Sequence, residues 1–236
     1  MKVIGLLGGM SWESTTTYYR LINEEVKSRL GGLHSARIVL YSVEFQEIER
    51  LQHAGDWEQA GRILAGAALA LQRAGAEFLV ICTNTMHKVA PTIEQSIAIP
   101  ILHIADATAE VIRKTGVRTV GLLGTRFTME EGFYVGRLRE HHGLDVMIPD
   151  VSSREQVHRI IFEELCMGTV LDHSRETYRR IIQDLVNQGA QGIIFGCTEI
   201  SLLVGPGDSP VPVFDTTEIH AHAAVDLSLD TPRHPG

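Results

Sequence analysis

Cysteine is scarce in this chain of 236 residues, basic side chains are outnumbered by acidic ones, and no low-complexity run occurs. Each shortage excludes something. Three cysteines, an odd number, do not build a disulfide framework and point to free thiols in a reducing, cytoplasmic setting. Lys and Arg number 21 against 29 Asp and Glu, a formal net charge of −8, which argues against binding to nucleic acid or to an anionic membrane. No stretch approaches the ~18 apolar residues of a membrane-spanning helix. The first strand is expected from residue 3, which leaves no room for a signal peptide. Missing too is a dinucleotide fingerprint: Gly5-Leu6-Leu7-Gly8-Gly9 is not G-x-G-x-x-G, and no acidic residue ends the next strand. His141, His142, His220 and His222 lack Cys or carboxylate companions at metal-ligand spacing, so no metal is expected and they read as surface residues.

What is present is an alternation of strand and helix patterns. Val3 to Leu7 is a short apolar run, followed by a helix from about Ser14 to Leu30 that Gly31-Gly32 should stop. Ala36 to Val43 reads as a strand. Ile63, Leu64, Ala67, Ala68 and Leu71 recur at helical spacing between Trp57 and Gln72, and Phe78 to Ile81 is again a strand. Near-continuous apolar strands in β-α-β-α-β order predict a parallel, doubly wound sheet covered by helices on both faces.

The second half repeats the first. Val120-Gly121-Leu122-Leu123-Gly124-Thr125 echoes Ile4-Gly5-Leu6-Leu7-Gly8-Gly9, 116 residues earlier. The segment from Gly189 to Thr198 echoes that from Gly75 to Asn84, 114 residues earlier, and Val211-Pro212-Val213 echoes Ile99-Pro100-Ile101, 112 residues earlier. Helices over 58–73 and 172–187 precede the matched strands. An α/β protein of two similar lobes related by a pseudo-twofold axis is therefore expected. The lobes are placed at 1–98 with 208–230 and at 99–207, with a C-terminal helix from Phe214 to about Leu227 crossing back and a loose tail over 231–236.

Ligands of open α/β sheets bind beyond the carboxyl ends of the strands. Gly8-Gly9-Met10 and Thr83-Asn84-Thr85 occupy those ends in one half, Gly124-Thr125 and Cys197-Thr198-Glu199 in the other, and facing lobes would gather all four in one cleft. The 114-residue offset sets Thr83 opposite Cys197. Two groups flanking one carbon are what stereochemical inversion needs, one removing a proton and the other returning a proton to the opposite face. A following helix N-terminus is expected to lower the Cys197 thiol pKa. Cys82, one residue out of phase, should point into the sheet packing. His87 and His103 are expected to hydrogen-bond around the first site and the lobe junction. Cys166 is placed on a helix over 155–167.

Gly5-Leu6-Leu7-Gly8-Gly9-Met10-Ser11-Trp12-Glu13-Ser14-Thr15, Cys82-Thr83-Asn84-Thr85-Met86-His87-Lys88 and Phe195-Gly196-Cys197-Thr198-Glu199-Ile200 together resemble the aspartate/glutamate racemase superfamily. These are pyridoxal-phosphate-independent enzymes, and the likeness is nearest to their bacterial broad-specificity amino-acid racemases. The resemblance runs nearly end to end and implies a cofactor-independent isomerase acting on a small amino acid, in a homodimer. It implies that Cys197 matches one of two proton-exchanging cysteines. The other aligns with Thr83, a departure from the pattern: a hydroxyl holds its proton about as tightly as water, so an alkoxide there costs ~10 kcal/mol more than a free thiolate. Thr83 is therefore expected to donate or relay a proton, not to act as a base.

The substrate's carboxylate and amino groups are assigned to Asn84, Thr85, Thr125 and Thr198, with Met10 as a further contact. Acid-selective members are similar around 162–168 but carry a basic residue near Cys166 and an arginine in the region of Gln52. With both positions uncharged, neutral or polar substrates such as homoserine are expected beside or instead of aspartate and glutamate. Single-cysteine relatives that decarboxylate malonate-type acids, and an amino-acid-binding protein without proton transfer, are the alternatives.

Overall fold

The computed structural model describes residues 1–230; the tail assigned to 231–236 lies outside the described residues. Two compact units form, one from Met1–His103 with the chain from His220 onward, the other from Ile104–Ile219.

In the first unit, β1 (Ile4–Gly8), α1 (Trp12–Leu30), β2 (Ile38–Ser42), α2 (Phe45–Ala54), α3 (Trp57–Arg73), β3 (Phe78–Ile81), α4 (Ala90–Glu94) and β4 (Ile101–Leu102) follow in order. All strands are parallel, in the order β2-β1-β3-β4. β1 and β3 are buried along their whole length, which is why they read as continuous apolar runs, whereas the edge strand β2 is progressively exposed. One side of the sheet is packed by Leu64, Ala67, Ala68 and Leu71 of α3 against Leu7, Leu79 and Ile81. Each large aliphatic side chain so buried contributes roughly 1.5–3 kcal/mol. The helix α1 starts on the Ser11 hydroxyl, which accepts from the Ser14 amide at 3.2 Å, and stops where Gly31 takes a φ of 74°.

The second unit repeats this plan with α5 (Ile104–Thr115), β5 (Thr119–Gly124), α6 (Arg126–Glu130), α7 (Gly132–His142), β6 (Asp145–Met147), α8 (Val151–Glu163), α9 (Asp172–Asn187), β7 (Gly192–Gly196), α10 (Ile200–Leu203) and β8 (Val213–Asp215). Its sheet is β6-β5-β7-β8, again all parallel. The last helix, α11 (Thr216–Leu229), passes out of this unit, and its Ala221, Ala224 and Val225 pack on Ile4, Leu6 and Val80 of the first. The sheets set the divisions. β4 stays with β3 and β8 with β7, so the chain changes units at 103/104 and 219/220, later than the 98/99 and 207/208 read from sequence. The helix α2 was not among the expected elements, although Phe45, Ile48 and Leu51 recur at helical spacing before Gly55. The helix expected over 155–167 ends at Glu163, and Cys166 lies on a separate 3₁₀ turn, Leu165–Met167. Among the described residues no helix is long and apolar enough to cross a membrane.

Candidate active site

In a sheet ordered β2-β1-β3-β4 the chain leaves β1 toward one edge and β3 toward the other, so the crevice opens beyond the carboxyl ends of that central pair. Gly9 makes the turn after β1. Its φ is 89°, and a Cβ there would stand 2.3 Å from the Val43 carbonyl oxygen, so only glycine fits. The Gly9 amide donates to the Thr15 hydroxyl at 2.8 Å, and Ser14 Oγ donates to the Cys82 carbonyl at 2.9 Å, which ties the two strand ends through α1. Thr83 follows β3 and is half-buried; Asn84 and Thr85 are buried, at the start of the 3₁₀ turn Thr85–Val89. Gln52, buried on α2, donates from Nε2 to Met86 Sδ at 2.9 Å and so reaches the same turn. Met10 is buried in the core with Leu7, Ile48 and Leu51. Trp12 is 66% exposed. Cys82 is fully buried in the core and its thiol is pushed up by that burial, as strand alternation predicts.

The second unit presents the equivalent pair. Gly124 and Gly196 are register partners, so Thr125 and Cys197 follow adjacent strand ends. Thr125 caps α6, its hydroxyl accepting from the Thr128 amide at 3.3 Å. Cys197 is 8% exposed, and its Sγ donates to Glu199 Oε2 at 3.0 Å. The half-buried Thr198 donates its hydroxyl to the same oxygen at 2.6 Å. Burial, then the negative charge of Glu199, hold the Cys197 thiol well above its ordinary value, with Cys166 close enough to add to the effect.

This corrects one expectation. The thiol is raised, not lowered, first because it is buried and then because the Glu199 carboxylate lies on its sulfur, while the helix that follows is only a four-residue turn. Glu199 is also the functional candidate that the sequence reading passed over; a carboxylate two residues beyond a strand-end cysteine was its signal. A second correction concerns His220, assigned to the surface and in fact wholly buried on α11. Burial pushes it down to about 4. His141 is exposed, and His142 and His222 are half-buried.

Chemically, each unit offers one strand end with a proton-bearing side chain, amides and hydroxyls near it, and no basic residue among the assigned site positions. The Cys197 end can hold, release and regain a proton, because its thiol has a carboxylate acceptor within hydrogen-bond distance. A family model described as Asp/Glu/Hydantoin racemase matches residues 7–224. A candidate Asp/Glu racemase of Yersinia pestis, solved by crystallography, is 61% identical with a TM-score of 0.92, covering 98% of this chain and 100% of its own. An aspartate racemase homologue from Pyrococcus horikoshii is 39% identical with a TM-score of 0.83, over 97% and 99% of the two chains. The broad specificity amino-acid racemase RacX of Bacillus subtilis is 22% identical over 96% of this chain and 98% of its own.

Proposed function

Because the chain belongs to the Asp/Glu/hydantoin racemase family, we propose that it racemises a small amino acid by 1,1-proton transfer at the α-carbon, without pyridoxal phosphate or a metal. In this reading Cys197 serves one face of the substrate and Thr83 the other. The observation that carries it is the 3.0 Å bond from the Cys197 thiol to Glu199. A thiol held protonated is ready to donate, and it becomes a base when its proton passes to the Glu199 carboxylate and the S–H bond breaks. The thiolate then takes the α-proton, and the electron pair left on carbon spreads into the substrate carboxylate, which Asn84, Thr85, Thr125 and Thr198 bind. On the opposite face Thr83 gives its hydroxyl proton to the carbon while taking one from a solvent water, so that no alkoxide forms, and the hydroxide left behind is neutralised when Glu199 gives up to solvent the proton it took from Cys197.

Neutral and polar substrates, homoserine among them, suit Gln52 and Cys166, neither of which offers the positive charge that a second carboxylate needs. RacX, a relative named for broad specificity, supports a substrate range wider than one amino acid. A cytoplasmic homodimer completes the reading; exposed Trp12, Tyr19, Leu40 and Tyr41 on the first unit supply apolar surface for such an assembly.

The test is a panel of L- and D-amino acids incubated in deuterium oxide with the natural chain and with Thr83→Cys. A racemase labels the α-position and loses optical rotation with at least one of them. Carbon dioxide release from malonate-type acids would replace this reading with decarboxylation. Binding without exchange in the natural chain, with strong turnover in Thr83→Cys, would replace it with an amino-acid-binding protein.

A further inference from the structure

Behind Thr83 lie three buried histidines that the proton-transfer scheme does not use. His87, on the 3₁₀ turn, places Nδ1 2.8 Å from the Thr83 carbonyl oxygen. A carbonyl only accepts, so Nδ1 carries the hydrogen. The His87 ring packs against His103 at 4.5 Å between centroids and 60° between planes, and its edge meets His220 at 5.9 Å. His220 is fixed at both nitrogens. Its Nε2 donates to the Leu102 carbonyl at 2.8 Å, and its Nδ1 accepts from the Tyr18 hydroxyl at 2.8 Å. The neutral ring that this pattern requires agrees with its lowered pKa. Among the described residues no three His, Cys, Asp or Glu side chains are grouped to hold a metal ion, so metal ligation does not account for the cluster.

The Thr83 backbone is pinned from every side. Its amide donates to the Ile81 carbonyl at 2.9 Å, the preceding carbonyl accepts from Ser14 Oγ at 2.9 Å, and its own carbonyl accepts from His87. Threonine is branched at Cβ and has few χ1 options, so fixing its backbone largely fixes where its hydroxyl points. A weakly acidic hydroxyl transfers a proton only when well aligned. We propose that His87 is the positioning residue of Thr83, its Nδ1–H holding the Thr83 carbonyl while His103 and the Tyr18–His220 pair form a rigid wall behind the ring.

This rests on the racemase reading, and the experiment separates the two. Inversion and solvent-deuterium exchange with retention are measured for both enantiomers with the natural chain, His87→Phe and His87→Asn. Phenylalanine keeps the ring without the donor, and asparagine keeps a donor close to the place of Nδ1. His87→Phe should lower kcat for inversion ~10- to 100-fold with KM little changed. Exchange with retention of the enantiomer whose α-proton faces Cys197, which needs only the Cys197–Glu199 end, should stay within roughly threefold, and His87→Asn should recover most of the loss. Inversion at the natural rate in His87→Phe, or inversion and retention falling together, would overturn the proposal. The nitrogen-15 spectrum of the natural chain decides it independently of any variant's folding, since a hydrogen on Nε2 with a bare Nδ1 excludes the Thr83 bond. If the natural chain neither exchanges nor inverts, the racemase reading falls, while the spectrum still decides the bond.

Discussion

The two strand ends, Thr83 after β3 and Cys197 after β7, occupy the same place in repeated sheets and are supported by opposite chemistry. Cys197 has its proton-bearing atom directly on a carboxylate. Thr83 is held through its backbone by an imidazole, with further imidazole rings packed against that one at an angle. A thiol is soft enough that a neighbouring charge can govern whether it is protonated, so the residue to control is its acceptor. A hydroxyl cannot be ionised at comparable cost, so what the protein can still control is direction. The same sheet order thus carries two strand ends whose surroundings differ.

The largest effect expected from breaking this asymmetry comes from Cys197→Ser. That substitution puts a hydroxyl at both ends and should lower inversion and α-exchange ~10²- to 10⁴-fold, the range a positioned acid–base group supplies; full activity in the variant would remove the mechanism. Glu199→Gln is next. Deleting the charge should let the thiol ionise at lower pH, although burial still keeps it above a free cysteine, and thiolate ultraviolet absorbance would follow this shift. Exchange should nonetheless fall about tenfold or more for want of a proton acceptor. A rate that rose along with the thiolate would show Glu199 to be a brake on Cys197, not its partner.

The smallest effect concerns the imidazole side. The folded chain holds His220 at about 4, below its ordinary 6.5, so on acidification the unfolded chain takes up that proton first. Stability from this group is complete above pH ~6.5 and is lost progressively as pH falls toward 4. The loss between pH 7 and pH 5.5 is roughly 1 kcal/mol. Urea midpoints across that range, beside His220→Gln, measure it; a natural chain whose midpoint does not move more than the variant's would refute the assignment.

Much of this was legible because periodicity and repetition leave marks in sequence. Both central strand pairs, the helices α3 and α9 and the matched positions of Thr83 and Cys197 follow from apolar spacing and the offset between halves. What escaped depended on contacts between distant residues. Burial of His220 arises from Tyr18 and Leu102, 202 and 118 positions away, which no local pattern announces. The raised Cys197 thiol follows first from its burial and then from the Glu199 carboxylate, and burial depends on packing that the local sequence does not display. Gln52 on α2 meets Met86, 34 positions along the chain, a contact that no local pattern announces.

The chain closes each unit with a helix from the other half. After β4 it enters α5, whose Ile104, Ala109 and Ile112 join the core around Val120 and Leu122, and after β8 it enters α11, which returns to cover β1 and β3. The first unit is therefore made of two stretches of chain, whereas the second is the single stretch Ile104–Ile219. A fragment ending at His103 would thus lack the helix that covers β1 and β3, whereas one running from Ile104 to Ile219 would carry the whole of its own sheet and core.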